Sequence, residues 1–236
     1  MHMPDAADNP LTFSPSTEIV PGVIFGRPEW VPSPAFWFSL ASAGWTDDDR
    51  YVSPPGSLLA DDIAFCILGG YGIRMEVNQA AWQRLKTAGA LNPPLDVARI
   101  ETLLVEPLDV GGRFVRYRFP RQRASRLFEA LRRLDELPVD QLSPLDLRKE
   151  LITLPGIGPK TASWIVRNWT GTDAVAILDV HVIRAGQMMG LFPERVRLPR
   201  DYATLEARFL DFATALRVPA SYLDALMWRE MRALTT

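Results

Sequence analysis

The sequence predicts an all-α protein, and three observations carry that expectation. Every long periodic run of apolar residues has helical spacing: Val77, Ala81 and Leu85; Ala124, Leu127, Phe128 and Leu131; Ala162, Ile165, Val166 and Trp169; Leu205, Phe209, Phe212 and Leu216. Glycines and prolines fall at the ends of these runs, where they stop or open helices. The apolar run short enough to pass for a strand, Ala174 to Leu178, leads straight into Asp179 at a helix start, so it reads as a buried approach segment. Helix packed on helix is then the layer architecture that remains.

Residues 1 to 33 are rich in proline and polar side chains and read as irregular chain with a short extended piece at Val20 to Ile24. Ser33 and Pro34 form a helix lead-in, a cap followed by a proline at the first position. The helix runs over 35–43, buries Phe36, Trp37 and Leu40, and stops at Gly44. A loop from Trp45 to Gly56 carries the acidic run Asp47-Asp48-Asp49. An apolar helix over 58–68 is cut by Gly69-Gly70, and a second over 76–88 ends at Gly89. Pro93-Pro94 is a break, 95–104 is helical, and 107–112 is a loop. Pro120 allows a helix from Arg121, and Pro138 and Pro144 bracket the next loop. Ser143 with Leu147 to Leu151 makes the helix before a tight turn, and the helix after it stops at Gly171. Asp179 caps a helix over 180–189, Pro193 and Pro199 enclose a loop, and Asp201 caps the next helix. Pro219 begins the last helix, where Ser221 with Asp224 resembles a capping box and Leu223, Leu226, Met227 and Met231 face the core.

Composition narrows the function classes. At 236 residues and 47% hydrophobic, the chain can fill one large core or two small ones. The net charge of -2 gives no global support for a polyanionic partner. Locally the balance is different: Gly112 to Arg133 holds Arg113, Arg116, Arg118, Arg121, Arg123, Arg126, Arg132 and Arg133, with Glu129 the sole acid. Cys66 is the one cysteine, so neither an intramolecular disulfide nor a four-cysteine cluster can form, and its apolar neighbours mark it as a small buried hydrophobe. With His2 and His181 alone, a multi-histidine metal site is excluded. No apolar run is long enough to span a bilayer, and no signal peptide is expected.

The most informative stretch is Leu154-Pro155-Gly156-Ile157-Gly158-Pro159-Lys160, followed by Asp179-Val180-His181. Gly156 and Gly158 let the backbone turn sharply and bring its N–H groups close to an anion, and the helix start at Lys160 adds the positive end of a dipole. The carbonyls of Leu154 and Ile157 are candidates to hold a monovalent cation. The plainer alternative stays open on these residues alone: a tight helix–helix turn, an exposed lysine, and an aspartate that is just a cap.

Taken together, the hairpin, Lys160 and Asp179 resemble the helix-hairpin-helix DNA glycosylase superfamily in its lysine-containing branch. The likeness is to the compact 8-oxoguanine DNA glycosylases with abasic-site lyase activity. It is specific around the hairpin and Asp179 and looser from Pro32 to Thr235. The resemblance implies two helical domains, 55–170 and 1–54 with 171–236, with a DNA-binding cleft between them. It implies Lys160 as nucleophile, Asp179 as catalytic carboxylate, and Gly156, Gly158 and His181 on the DNA backbone, although His181 is also compatible with a packed histidine. Damaged double-stranded DNA is the implied partner of a monomer in the cytoplasm, at the nucleoid, with no membrane contact. Arg121 and Arg123 either join the DNA backbone contacts or solubilise a surface helix. Gln187, Asp224 and Trp228 are the candidates for a base pocket, while Phe209 and Phe212 are assigned to the core. The chain departs from sister enzymes in lacking a C-terminal cysteine cluster, so no iron–sulfur cofactor is expected. It has Gly69-Gly70 where relatives carry polar side chains that probe the helix.

The residue chemistry agrees with that implication. Cleaving a base from C1′ builds positive charge on the sugar, which a carboxylate stabilises, more so in a dry site. A neutral lysine can attack C1′ and form a Schiff base that permits β-elimination of the 3′ phosphate. The base must also be extruded from the stack. Three other readings remain at this point: a glycosylase for a different modified base, a non-catalytic helix-hairpin-helix DNA-binding protein, and a helical protein-interaction module.

Overall fold

The computed structural model describes residues 13–44, 53, 56–70 and 72–233. The acidic run Asp47-Asp48-Asp49 and most of the loop around it lie outside the described residues. The chain divides into two compact units, Arg50–Ile177 and the pair of segments Met1–Asp49 and Leu178–Thr236.

In the unit Arg50–Ile177, α2 (Leu59–Leu68), α3 (Met75–Thr87), α4 (Val97–Val105), α5 (Pro120–Leu134), α6 (Pro144–Ile152) and α7 (Pro159–Thr170) enclose one core. Ile63 and Ile67 of α2, Leu85 of α3, Ile100 and Leu104 of α4, Leu127 of α5, Leu151 of α6 and Ile165 of α7 are all buried in it. The α2 helix packs against α3, α5 and α7, and α6 lies along α7. Asp96 caps α4 by accepting the Arg99 N–H at 2.8 Å, so that helix begins later than the sequence spacing suggests.

A short antiparallel hairpin, β3 (Leu108–Val110) and β4 (Arg113–Val115), replaces the expected loop before α5. Gly111 and Gly112 both hold positive φ, as its two-residue turn requires, and Asp109 Oδ1 accepts the Gly112 N–H. The hairpin sets Phe114 out in solvent, 78% exposed, within the arginine-rich stretch.

The other unit holds β1 (Glu18–Val20) and β2 (Val23–Ile24), α1 (Pro34–Ser42), α8 (Val180–Met188), α9 (Tyr202–Leu216) and α10 (Ala220–Ala233). Its core contains Trp37, Phe209, Phe212, Tyr222, Leu223 and Met227. Ser33 caps α1 through its hydroxyl, with Pro34 at the first position. The β1–β2 hairpin sits on α9, where Arg208 donates to the carbonyls of Pro21 and Leu191.

Two expected caps are corrected. Asp201 stands at the N-cap position of α9 as expected, but its carboxylate accepts the Arg197 N–H at 2.7 Å, tying the preceding loop, and makes no bond to the helix amides. Ser221 lies inside α10 and is fully buried, because the helix starts at Ala220, so no capping box forms there.

Candidate active site and nucleic-acid interface

The turn between α6 and α7 is built from alternating anchors and openings. Leu154 and Ile157 are buried in the core of their unit, while Gly156 is exposed and Gly158 half-buried. The Leu154 N–H donates to Leu151 and the Ile157 N–H to Leu154, at 3.0 and 3.2 Å. Gly156 holds φ +88°, a left-handed value that favours glycine. Gly158 stands at the N-cap of α7 and offers no side chain to its amides, and Pro159 occupies the first turn. Among the described residues, the Gly156 and Gly158 N–H groups donate to no carbonyl. Open amides at the positive end of a helix are the physical makings of an anion site. Lys160 follows at once and is exposed.

The turn is braced from α5. Arg133 donates to the Thr153 carbonyl and to its hydroxyl, both at 2.8 Å. The stem of Arg126 lies over Gly156, with its Cδ 3.1 Å from where a Cβ on that glycine would stand. Sequence reasoning placed both arginines in a general basic stretch and missed these roles. The faint signal was their spacing, seven apart on one helix face.

Close to Lys160, α2 contributes Cys66 and, one turn earlier, Asp62. Burial pushes the Cys66 thiol up, with the Asp62 carboxylate adding to the shift and the Lys160 ammonium opposing it. A thiol held in that form is a poor nucleophile, which fits the expectation of a small apolar filler. Burial also raises the Asp62 carboxyl above the ordinary range, against a hydrogen bond from the Ser53 hydroxyl at 2.8 Å.

Asp179 belongs to the other unit. It caps α8, and its Oδ1 alone accepts both the His181 and the Val182 N–H, each at 2.9 Å. Its Oδ2 makes no hydrogen bond among the described residues, so one oxygen alone serves the helix cap. His181 sits half-buried in the first turn of the same helix.

Arg121 is exposed; Arg123 is half-buried, with its Nη2 3.8 Å from where a Cβ on Gly70 would stand. The Gln187 amide donates to the carbonyls of Pro193 and Glu194, at 3.1 and 2.9 Å. Asp224 is buried within α10, and Trp228, one turn on, is half-buried with Arg232 over its ring. Phe209 and Phe212 are core residues.

Gly69 and Gly70 have a structural explanation. A Cβ on Gly69 would stand 2.8 Å from Asn78 Nδ2, the group that donates to the Phe65 carbonyl at the end of α2. Gly70 and Gly72 hold positive φ, and Tyr117 donates from its hydroxyl to the Leu68 carbonyl. Close packing at Gly69 and left-handed backbone at Gly70 each disfavour a side chain.

The sequence profile described as 8-oxoguanine DNA glycosylase matches residues 59–218, which span α2 to the end of α9. The chain belongs to the 8-oxoguanine DNA glycosylase family. A curated relative, the 8-oxoguanine DNA glycosylase/AP lyase of Metallosphaera sedula, is 30% identical over 116 residues, 48% of this chain and 57% of that protein. The match thus spans under two thirds of that relative's length. The solved structure of the 8-oxoguanine DNA glycosylase of Thermotoga maritima superposes with a TM-score of 0.55 at 28% identity, over 73% of this chain and 78% of that one. That of Methanocaldococcus jannaschii gives 0.55 at 26% identity, over 74% and 77%. As a family member, the chain keeps the helical fold, and Lys160 stands in the first turn of α7. Among the described residues, no helix is long and apolar enough to cross a membrane, and no group of three or more His, Cys, Asp or Glu side chains could hold a metal ion.

Proposed function

We propose that this chain is a DNA glycosylase with abasic-site lyase activity that removes 8-oxoguanine from damaged double-stranded DNA. The observation that carries the reading is Lys160 set immediately after a turn whose glycine amides are open and whose helix has no side-chain cap. The names of the relatives, glycosylase and lyase acting on 8-oxoguanine, support the same activity.

In this mechanism the hairpin amides hold a phosphate of the lesion strand, which fixes the sugar relative to Lys160. Asp179 keeps its helix cap through Oδ1 and offers Oδ2 to the positive charge that grows on the sugar as the C1′–N9 bond breaks. The base leaves with the bonding electrons and takes up a proton. The neutral Lys160 amine bonds to C1′, and opening of the C1′–O4′ bond yields the Schiff base. Loss of a C2′ proton then expels the 3′ phosphate. His181, Arg121 and Arg123 serve the DNA backbone, and Gln187, Asp224 and Trp228 border the extruded base. The Leu154 and Ile157 carbonyls suit a monovalent cation: Leu154 accepts one N–H and keeps a second lone pair, and carbonyl oxygens are hard donors. The chemistry described passes through no such ion.

Borohydride reduction tests the reading. The wild type is expected to become covalently trapped on duplex DNA containing 8-oxoguanine, and Lys160→Gln to lose trapping. Trapping that persists in Lys160→Gln would transfer the role to another amine, and absence of base release from 8-oxoguanine with release of another lesion would change the substrate.

A further inference from the structure

The arginines of α5 fall into two groups. Arg132 pairs with Glu129 and Glu136 at 3.3 and 2.7 Å, and Arg133 is spent on Thr153. Arg126 is half-buried, yet among the described residues its guanidinium has no ion pair and no hydrogen bond. Its stem is fixed all the same. Cδ, Cγ and Cβ lie 3.1, 3.8 and 3.9 Å from where a Cβ on Gly156 would stand, so the chain runs across the turn with its charged end just beyond.

The electrostatics of that place are unfavourable without a ligand. The α7 helix begins at the turn with no acidic residue in its first turn and no side-chain cap, and Lys160 already adds one cation. A helix N-terminus disfavours nearby positive charge. A second cation held there by its own stem, paired with no carboxylate among the described residues, is what an anion would balance.

We propose that Arg126 is a further binding residue of the hairpin: its guanidinium takes a non-bridging oxygen of the same phosphodiester that the Gly156 and Gly158 amides hold. The phosphate is then gripped by backbone N–H groups from the turn and by a side chain from α5. Glycine at position 156 serves both partners, since its missing Cβ admits the phosphate to the amides and the arginine stem to the turn. The assignment rests on the reading of this turn as a DNA-phosphate site.

The test measures binding of a duplex containing 8-oxoguanine to the full chain carrying Lys160→Gln, across a salt series. Adding Arg126→Met keeps an unbranched stem over Gly156 and removes the charge. The slope of log affinity against log salt should become shallower by about 0.9, the value for one phosphate contact. Between 50 and 200 mM salt, the parent should then lose about threefold more affinity than the Arg126→Met protein. Arg126→Lys should recover most of the slope. An unchanged slope in Arg126→Met, beside a steep slope in the parent, overturns the Arg126 assignment alone. A parent that binds with no salt dependence overturns the phosphate reading of the turn. A second measurement uses no substitution at Arg126: phenylglyoxal modification of this residue, followed by peptide mass spectrometry, should fall severalfold when the Lys160→Gln protein is saturated with the duplex. Equal modification with and without DNA also overturns the proposal.

Discussion

Arg133 and Thr153 are joined by a two-pronged contact, in which the guanidinium donates to the carbonyl and to the hydroxyl of the residue that ends α6, both at 2.8 Å. This contact holds the entry to the turn that carries the open amides. Arg133→Ala is expected to lower stability by about 1–2 kcal/mol, the scale of two hydrogen bonds of which one reaches a helix-end carbonyl. Urea unfolding would measure it. The same protein should bind duplex DNA more weakly, because the turn loses its brace. Arg133→Lys should recover little, since an ammonium cannot reproduce a planar fork.

Asp179 caps α8 through Oδ1 alone, so substitutions should separate this cap from the catalytic role proposed for Oδ2. Asparagine is a good N-cap but carries no charge. Asp179→Asn is expected to unfold within a few tenths of a kcal/mol of the wild type, whereas Asp179→Ala loses about 1 kcal/mol with the cap. Both should slow single-turnover release of 8-oxoguanine by about 100-fold or more. Normal excision by Asp179→Asn would remove the carboxylate from the chemistry and leave it a cap.

The glycine at position 69 is set by packing against Asn78. Gly69→Ala places a methyl carbon 2.8 Å from Asn78 Nδ2, on the side chain that satisfies the Phe65 carbonyl. Displacing that amide leaves the part-buried Phe65 carbonyl with the Gly69 N–H as its partner, so the loss is that of one hydrogen bond, about 0.5–1.5 kcal/mol. If this contact is the cause, Gly69→Ala and Asn78→Ala will be non-additive in thermal unfolding, with the double variant close to Asn78→Ala. Simple addition would mean that the strain lies elsewhere.

Burial raises the Asp62 carboxyl above its unfolded value. A raised folded pKa gives a stability contribution that is present below the unfolded pKa and lost as pH rises through the folded one. At neutral pH the carboxylate therefore works against folding. Asp62→Asn, whose amide oxygen can still accept the Ser53 hydroxyl, should raise the urea midpoint at pH 7 and lose that advantage as pH falls below the carboxylate range. A gain equal at pH 7 and at low pH would assign the effect to packing.

Much of the fold was legible because it is written in contacts a few residues long. The Ser33-Pro34 opening of α1, the Gly171 stop of α7 and the Asp179 cap of α8 are local, and each stands where the sequence placed it. The same kind of reading failed at Asp201 and Ser221. A capping residue type has more than one nearby N–H to serve, and Asp201 took the one in its preceding loop. The β3–β4 hairpin was hidden by its size: each strand is three residues long, and the alternation of Leu108, Asp109 and Val110 is too short to stand out as a pattern.

For the candidate site, Lys160, Asp179 and the turn glycines could be named from linear order, because their spacing matches a family pattern, while the residue types alone left a plain turn, an exposed lysine and a helix cap equally open. Linear order could not reveal that Arg126 and Arg133 reach Gly156 and Thr153, or that Asn78 forbids a side chain on Gly69. Those partners lie on separate helices, and they meet through the burial of Leu127, Leu151, Leu154 and Ile157 in one core. Packing of apolar faces chooses which distant polar groups become neighbours, and that choice is made once the chain has folded.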